Sequence, residues 1–259
     1  MPDASAAERP DAVRVSIVLA VLNERRNLPE LFDRLRAAPL PAWEALVVDD
    51  GSTDGTREFV GELARTDPRL RLLLHDGKQT TVAAQAMGIA AARGPYVVIM
   101  DSDLQHPPEV IAALLGALEG GATIAVASRY VPGGTPGPRP PLRAVISRGA
   151  EALAKLILPA ARRLSDPVSG FFAFRRTAFV PLEPGTRGYK LLLFVLATAG
   201  DAPIGEVPFR FEPRSSGASK VTSGSSFVRY YLTELILARR LGRKVARARD
   251  GAPRASSRP

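Results

Sequence analysis

The sequence contains no cysteine, so a disulfide framework and a thiolate metal site are both excluded. Histidine is nearly as scarce: His75 and His106 are the only two. A poly-histidine zinc centre therefore does not fit, and a divalent cation must be held mainly by oxygen, which favours Mg2+ or Mn2+. No stretch reaches the roughly 18–20 continuous apolar residues of a membrane span, and the apolar run of residues 191–199 is far too short. Residues 1–11 are polar and rich in Ala, Pro and acids, unlike a signal peptide. No internal repeat is visible. These absences lead us to expect a cytoplasmic protein that is soluble or peripheral on the cytoplasmic face of the membrane.

What is present suits one α/β domain: 259 residues, 46% hydrophobic and 24% charged, enough to bury a sizeable core. A net charge of +9 points to anionic partners: nucleotides, phospholipid headgroups or nucleic acid. Much of it sits in Arg239, Arg240, Arg243, Lys244, Arg247, Arg249, Arg254 and Arg258, against the single acid Asp250. With Gly251, Pro253, Ser256 and Ser257, residues 244–259 read as a disordered basic tail. Such a tail is either merely solvated or drawn to an anionic membrane surface. A nucleic-acid-binding reading has the charge but no recognised motif, and it leaves the acidic clusters described next unexplained; no nucleic-acid partner is expected.

After a disordered N-terminus (1–13), short β-branched runs alternate with amphipathic stretches. Residues 15–21, 45–48, 70–74, 96–100 and 123–127 read as strands, with helices between them at about 28–35, from 53–56 onward, at 82–93 and from Pro107-Pro108. A β-α-β-α order implies a mostly parallel sheet with helices on both faces, a Rossmann-like nucleotide-sugar-binding fold. Ligands in such sheets bind beyond the carboxyl ends of the strands. The polar residues cluster there: Asn23 and Glu24 after the first strand, Asp49 and Asp50 after the second, Asp101 and Asp103 after the fourth, Arg129 after the fifth. The second half holds a Pro/Gly-rich loop (131–141), an amphipathic helix over 143–164 broken by Pro159, and a turn with a short strand (166–174). A short apolar helix (189–199), a strand (204–211), a polar Gly/Ser loop (214–226) and a last helix (227–241) follow. Trp43 and the Phe171-Phe172-Phe174 cluster read as core, and His106 as a helix cap. Residues 14–243 form a single domain, 14–130 and 131–243 being its two halves.

Two carboxylates separated by one residue at a strand end can turn toward one point and hold a divalent cation against a diphosphate. By itself Asp-x-Asp is a weak signal. In its setting it is not: Asp101-Ser-Asp103-Leu-Gln-His-Pro-Pro-Glu109 resembles the central motif of dolichol-phosphate and polyprenol-phosphate mannosyltransferases within family-2 inverting glycosyltransferases. Leu22-Asn-Glu-Arg-Arg-Asn-Leu28, Val47-Val-Asp-Asp-Gly-Ser-Thr-Asp-Gly-Thr56, Ala127-Ser-Arg-Tyr-Val-Pro-Gly-Gly134, Ile146-Ser-Arg-Gly-Ala150, Asp166-Pro-Val-Ser-Gly-Phe171, Gly188-Tyr-Lys190 and Arg214-Ser-Ser-Gly-Ala-Ser-Lys220 follow in family order.

The resemblance implies a division of roles. Glu24 and Asp49, with Asp50 nearby, bind base and ribose, beside Ala20 and Leu22, which stand where the family often carries a proline and an aromatic. Asp101, Ser102, Arg129, Arg214 and Lys220 complete the nucleotide-sugar site; Asp101, Asp103 and the Gln105 amide oxygen hold Mg2+ or Mn2+. Lys78 and Gln79, at the third strand's end, are further candidates to touch the nucleotide. Asp103, Arg129 and Arg143 are the expected catalytic residues, and Arg143, Ser147 and Arg148 meet the acceptor. Phe194 stands where the family usually shows an acid. The implied partners are a nucleotide diphosphate sugar, GDP-mannose favoured, and a polyprenyl phosphate. An ionised phosphate needs no strong base, whereas a hydroxyl acceptor would need a carboxylate. Asp166 is the candidate for that role, and equally a turn-forming residue before Pro167.

Overall fold

The computed structural model describes residues 12–75, 80–138, 140–183, 186, 188–213 and 225–250, with the backbone alone at 142, 143 and 225–229. Lys78, Gln79, Arg214 and Lys220 lie outside the described residues, as do 251–259 of the basic tail.

Strands β1 (Val15–Val21), β2 (Trp43–Asp49), β3 (Leu70–Leu74), β4 (Tyr96–Ile99), β5 (Ile124–Ser128), β6 (Phe172–Arg175) and β7 (Ile204–Pro208) form one sheet in the order β3-β2-β1-β4-β6-β5-β7. Neighbours run parallel except at β6, which is antiparallel to both β4 and β5. Period-2 alternation sends each strand's side chains to two cores. Val15, Ile17, Leu19 and Val21 of β1 face one core while Val18 faces the other, and β4 divides Val98 from Val97 and Ile99 in the same way.

Helices α1 (Leu28–Ala37), α2 (Thr56–Thr66) and α4 (Ile111–Glu119) cover the first face; α3 (Thr81–Ala91), α5 (Pro141–Ile157), α6 (Leu191–Ala199) and α7 (Ser225–Asp250) cover the second. The doubly covered, mostly parallel sheet agrees with the sequence pattern. Helix α3 lies close on the sheet because Gly88 has no side chain: a Cβ there would stand 2.5 Å from Val18 Cγ1 and 3.2 Å from Val48 Cγ2. Helix α5 opens on Pro141, which needs no N–H partner in a first turn, and stops at Leu158 before Pro159. The apolar α6 is buried from Leu191 through Leu196, a core helix rather than a membrane segment. Among the described residues no helix is long and apolar enough to cross a membrane. Trp43, Phe171, Phe172 and Phe174 are buried in the core, as expected.

The last helix departs from the sequence reading. It runs to Asp250, through residues 244–250 that read as disordered. The apolar pattern does end at Leu241, but Arg, Lys and Ala are strong helix formers. Once Tyr231, Leu235 and Ala238 dock in the core, they nucleate a helix that propagates into the basic segment at little cost.

Candidate active site

The carboxyl edge of the sheet gathers most of the residues named above. At the end of β1 the chain turns through Asn23 at φ 55°, a left-handed conformation that Asn tolerates. The Asn23 side-chain oxygen accepts the Thr53 N–H at 2.7 Å, and the N–H groups of Asn23 and Glu24 donate to the Ser52 and Thr56 hydroxyls at 2.9 and 3.0 Å. The first two strand-end loops are thereby sewn together. Glu24 lies half-buried in this seam, with Asn27 Nδ2 donating to its Oε2 at 2.6 Å. Ala20 pairs in register with Val48, and both Ala20 and Leu22 are half-buried at this corner.

Asp49 is fully buried. Its Oδ1 accepts the Gly51 and Ser52 N–H groups at 3.2 Å each and Arg57 Nη2 at 2.9 Å. Burial works to raise its pKa, but the hydrogen bonds from Ser52, Arg57 and the turn hold it below the usual carboxylate value. Its other oxygen, Oδ2, is buried with no hydrogen-bond partner among the described residues, an acceptor in want of a donor. Asp50 faces the other way, 2.8 Å from His75 Nδ1. Sequence reading gave His75 no role; the pairing arises because β3 lies beside β2 and the His75 N–H donates to the Asp49 carbonyl.

The turn after β4 presents Asp101 with its side chain 51% exposed, while Ser102 and Asp103 are buried. Leu104 takes φ 66°, a conformation that strains a bulky residue; its side chain is buried in the core, and that anchorage sustains the strain. The reversal lets the Gln105 N–H return to Asp103 Oδ1 at 3.2 Å. Gln105 Nε2 donates to the Glu212 carbonyl at 3.2 Å, and the Glu212 N–H to the Gln105 carbonyl at 3.1 Å. With its nitrogen so engaged, the amide oxygen of Gln105 is turned away from Glu212.

His106 is not a helix cap. Its Nδ1 accepts the Asp101 N–H at 2.9 Å, its ring stacks on Phe171 at 5.1 Å, and Phe209 and Phe211 meet it edge-on. Burial pushes its pKa down to about 3, so it is a neutral prop beneath the Asp101 turn. Gly170 also lies beneath: a Cβ there would come within 3.3 Å of Asp101 Oδ2. Among the described residues no three His, Cys, Asp or Glu side chains cluster as a metal cage. The Asp101 and Asp103 carboxylates and the Gln105 amide oxygen, all on one turn, are hard donors that would suit a Mg2+ or Mn2+ ion sharing its shell with a diphosphate.

Arg129, after β5, does not stand free over this turn. Its Nε and Nη2 hold Asp166 Oδ2 and Oδ1 at 2.7 and 2.8 Å, and its N–H donates to Oδ2 at 3.2 Å. Asp166 is fully buried, and its own N–H donates to Glu206 at 3.2 Å. Burial opposes the charge on Arg129, but the carboxylate outweighs it and raises the guanidinium pKa. Of the two roles open to Asp166, the geometry thus favours the structural one. Tyr130 lies between the arginines of the two halves, its ring 5.4 Å from the Arg129 guanidinium and 4.4 Å from that of Arg148. On α5, Ser147 and Arg148 both contact the buried Glu151, at 3.4 and 3.3 Å. Arg143 lies in the first turns of α5; its side chain is outside the described residues.

Sequence reading quoted Lys190 in a motif without giving it a role. The structure places it, partly exposed, where burial lowers its pKa and where it feels the charges of Asp101, Arg129, Asp166 and Glu234. Its amine is thus within electrostatic reach of the acidic turn. Phe194 is buried in the core through α6.

The chain matches the family model described as Glycosyl transferase family 2 over residues 16–181. It is 39% identical over 216 residues to a dolichol-phosphate mannosyltransferase of Pyrococcus furiosus, covering 83% of this chain and 61% of that protein, so it spans about three fifths of that relative's length. It is 34% identical over 232 residues to a dolichol-phosphate mannosyltransferase of Saccharomyces cerevisiae, covering 85% of each. It is 36% identical over 234 residues to a polyprenol monophosphomannose synthase of Mycolicibacterium smegmatis, covering 85% of this chain and 87% of that one. Among solved structures, glucosyl-3-phosphoglycerate synthase from Mycobacterium tuberculosis in complex with UDP aligns with a TM-score of 0.63 at 21% identity, over 88% of this chain and 81% of that one. The same enzyme with Mn2+ and UDP-glucose gives 0.60 at 21%, over 94% and 81%. At that identity the likeness is one of fold.

Proposed function

The chain belongs to glycosyl transferase family 2 and is a glycosyltransferase, and from that premise we propose that it moves a hexose, with mannose favoured, from a nucleotide diphosphate sugar to a polyprenyl phosphate with inversion. The names of the Pyrococcus, yeast and mycobacterial relatives support the sugar and the lipid phosphate. In this reading the unpartnered Asp49 Oδ2 accepts an N–H or hydroxyl of the nucleoside, GDP being the favoured nucleotide. Glu24, Ala20 and Leu22 shape the same corner, and Asp50, held by His75, closes its far side. Asp101, Asp103 and the Gln105 amide oxygen hold Mg2+ or Mn2+, which supplies positive charge against the diphosphate. Lys190 adds a fixed cation on that side, where charge grows as the leaving group departs. Ser102 backs the turn, Arg129 borders it, and Arg214 and Lys220 are assigned to the phosphates by motif.

The observation that carries the phosphate acceptor over a hydroxyl one is the Arg129–Asp166 pair. A hydroxyl nucleophile needs a carboxylate to take its proton, and Asp166 is buried with both oxygens on one guanidinium. A phosphate oxygen is already ionised. It attacks the anomeric carbon, the carbon–oxygen bond to the nucleotide diphosphate breaks, and that leaving group keeps the electron pair. Arg143, Ser147 and Arg148 are the proposed phosphate-binding residues, since guanidinium pairs with phosphate bidentately. The same half carries the proposed membrane contact: Val145 and Leu156 of α5 are 69% and 70% exposed and Ile236 of α7 is 50% exposed, and Ile236 lines a furrow with Ile157, Arg239, Arg240 and Arg243.

Purified protein with Mg2+ or Mn2+, polyprenyl phosphate and a panel of GDP-, UDP- and dTDP-sugars is expected to yield a mild-acid-labile glycolipid, best with GDP-mannose. Asp101→Asn and Asp103→Asn should each lower turnover by about 100-fold with the fold intact. Donor hydrolysis without any lipid product, or transfer to a soluble hydroxyl instead, would overturn the reading.

A further inference from the structure

Glu234 is a carboxylate in the wrong place for a docking contact. It sits on the inner face of α7, 3% exposed, beside Tyr231, Leu235 and Ala238 in the core. Burial raises its pKa, so its position carries an electrostatic cost, and an apolar residue would dock the helix as well. What the carboxylate supplies is a grip on a particular backbone. Its Oε1 accepts two successive N–H groups, those of Tyr189 and of Lys190, the latter at 3.1 Å. Gly188 is required for that approach, because a Cβ at 188 would collide with the same oxygen. The other side of the segment is pinned to the start of α3: the Gly188 N–H donates to Thr80 Oγ1 at 3.2 Å, and its carbonyl accepts the Val82 N–H at 3.0 Å. Residues 188–190 are therefore clamped between α3 and α7, and the side chain leaving the clamp, Lys190, is near enough to feel the charges of Asp101, Arg129 and Asp166.

We infer that Glu234 is a positioning residue: by fixing the 188–190 backbone from α7, it aims the Lys190 ammonium at the donor diphosphate. The inference deepens the proposed reaction and rests on it for the identity of that target; the clamp itself does not. Glu234 never touches the sugar or the phosphates and acts only through Lys190. It also gives α7, which lies beyond residues 16–181 of the family match, an effect on the donor site through Lys190.

Two measurements test this on the full chain. The first is independent of turnover: amine acylation of Lys190, followed by mass spectrometry. Glu234→Ala is expected to speed labelling of Lys190 by about tenfold as the segment opens, while Glu234→Gln, which keeps a side-chain oxygen, stays within about twofold of wild type. Should Glu234→Ala not fold, Gly188→Ala displaces the carboxylate from the other side and should give the same increase. Unchanged labelling in a folded variant overturns the inference. The second is a double-mutant cycle in glycosyl transfer. Glu234→Ala should lower kcat/KM for the donor by about tenfold in wild type but by less than about twofold in a Lys190→Ala background, with KM for the acceptor unmoved and Glu234→Gln restoring most of the rate. Additive losses would mean that Glu234 only stabilises the fold, and would overturn the inference. A wild-type protein that transfers sugar to no lipid phosphate sinks the proposed reaction instead, and the labelling result still decides whether Glu234 holds Lys190.

Discussion

Arg129 and Asp166 illustrate how one contact can serve the fold and the chemistry together. Two parallel hydrogen bonds from a planar guanidinium to a buried carboxylate satisfy both charges, and in the proposed reaction the same pairing takes away a proton acceptor beside the site. Lysine cannot reproduce the fork. Arg129→Lys is expected to leave one Asp166 oxygen poorly matched and to destabilise the protein by about 2 kcal/mol, read as a lower urea midpoint at unchanged slope. A midpoint equal to wild type would show that a point charge suffices. Such pairs were not legible in the sequence. Arg129 was visible at a strand end and Asp166 before a proline, but 37 positions separate them, and nothing in either motif announces the other. The Asp50–His75 and Glu234–Lys190 contacts were hidden for the same reason, because strand order and helix docking bring them together. Asp101, Asp103 and Gln105, in contrast, share one turn, so spacing alone is enough to propose them together.

Among the elements, the strands were the most readable. Residues 15–21 and 70–74 are mostly apolar, broken only by Ser16 and Arg71, and the structure gives them the same limits. Helix ends were less so, because they depend on partners far along the chain. Asp67, at the C-terminal end of α2, is an example: it takes Arg69 Nε at 2.9 Å on Oδ1, and Arg36 Nη2 of α1 at 3.1 Å on Oδ2. These guanidinium contacts, Arg69 foremost, outweigh burial and lower its pKa from 3.8 to about 2. A carboxylate whose folded value lies below its unfolded one adds stability above the unfolded value and loses it as pH falls through the folded one. Asp67→Asn should therefore destabilise the protein at neutral pH by about 1–2 kcal/mol, after allowance for screening at the exposed guanidinium ends. The difference from wild type should shrink as pH falls below about 4 and vanish only below about pH 2. A gap that persists undiminished in acid would assign the effect to packing instead.

At the scale of the whole molecule, charge and exposed apolar surface share one side. The furrow between α5 and α7 is lined by Ile157 and Ile236 with Arg239, Arg240 and Arg243, and α7 carries Lys244, Arg247 and Arg249 onward as an ordered helix rather than a loose tail. A rigid basic helix presents its charges at fixed spacing, which favours an anionic lipid surface. Vesicles containing phosphatidylglycerol should sediment the protein at low salt and release it as salt rises, whereas neutral vesicles should not. Replacing Arg239, Arg240 and Arg243 with Gln should weaken that binding by about 1 kcal/mol per charge without altering donor binding. Equal sedimentation with neutral vesicles would remove charge from the account.

The reversed direction of β6 carries a last implication. The chain leaves the sheet at Ser128 and re-enters it at Phe172, at the same edge, because β6 runs against both neighbours. Everything between is an excursion whose two ends the Arg129–Asp166 clasp holds together. Ala154, Leu158, Ala161 and Leu164 pack this excursion onto the second face of the sheet, so it is replaceable only as a whole with that apolar stripe kept. In the proposed reaction this excursion carries the acceptor residues, and grafting residues 130–165 from a relative with another acceptor, apolar stripe included, is expected to exchange one specificity for another.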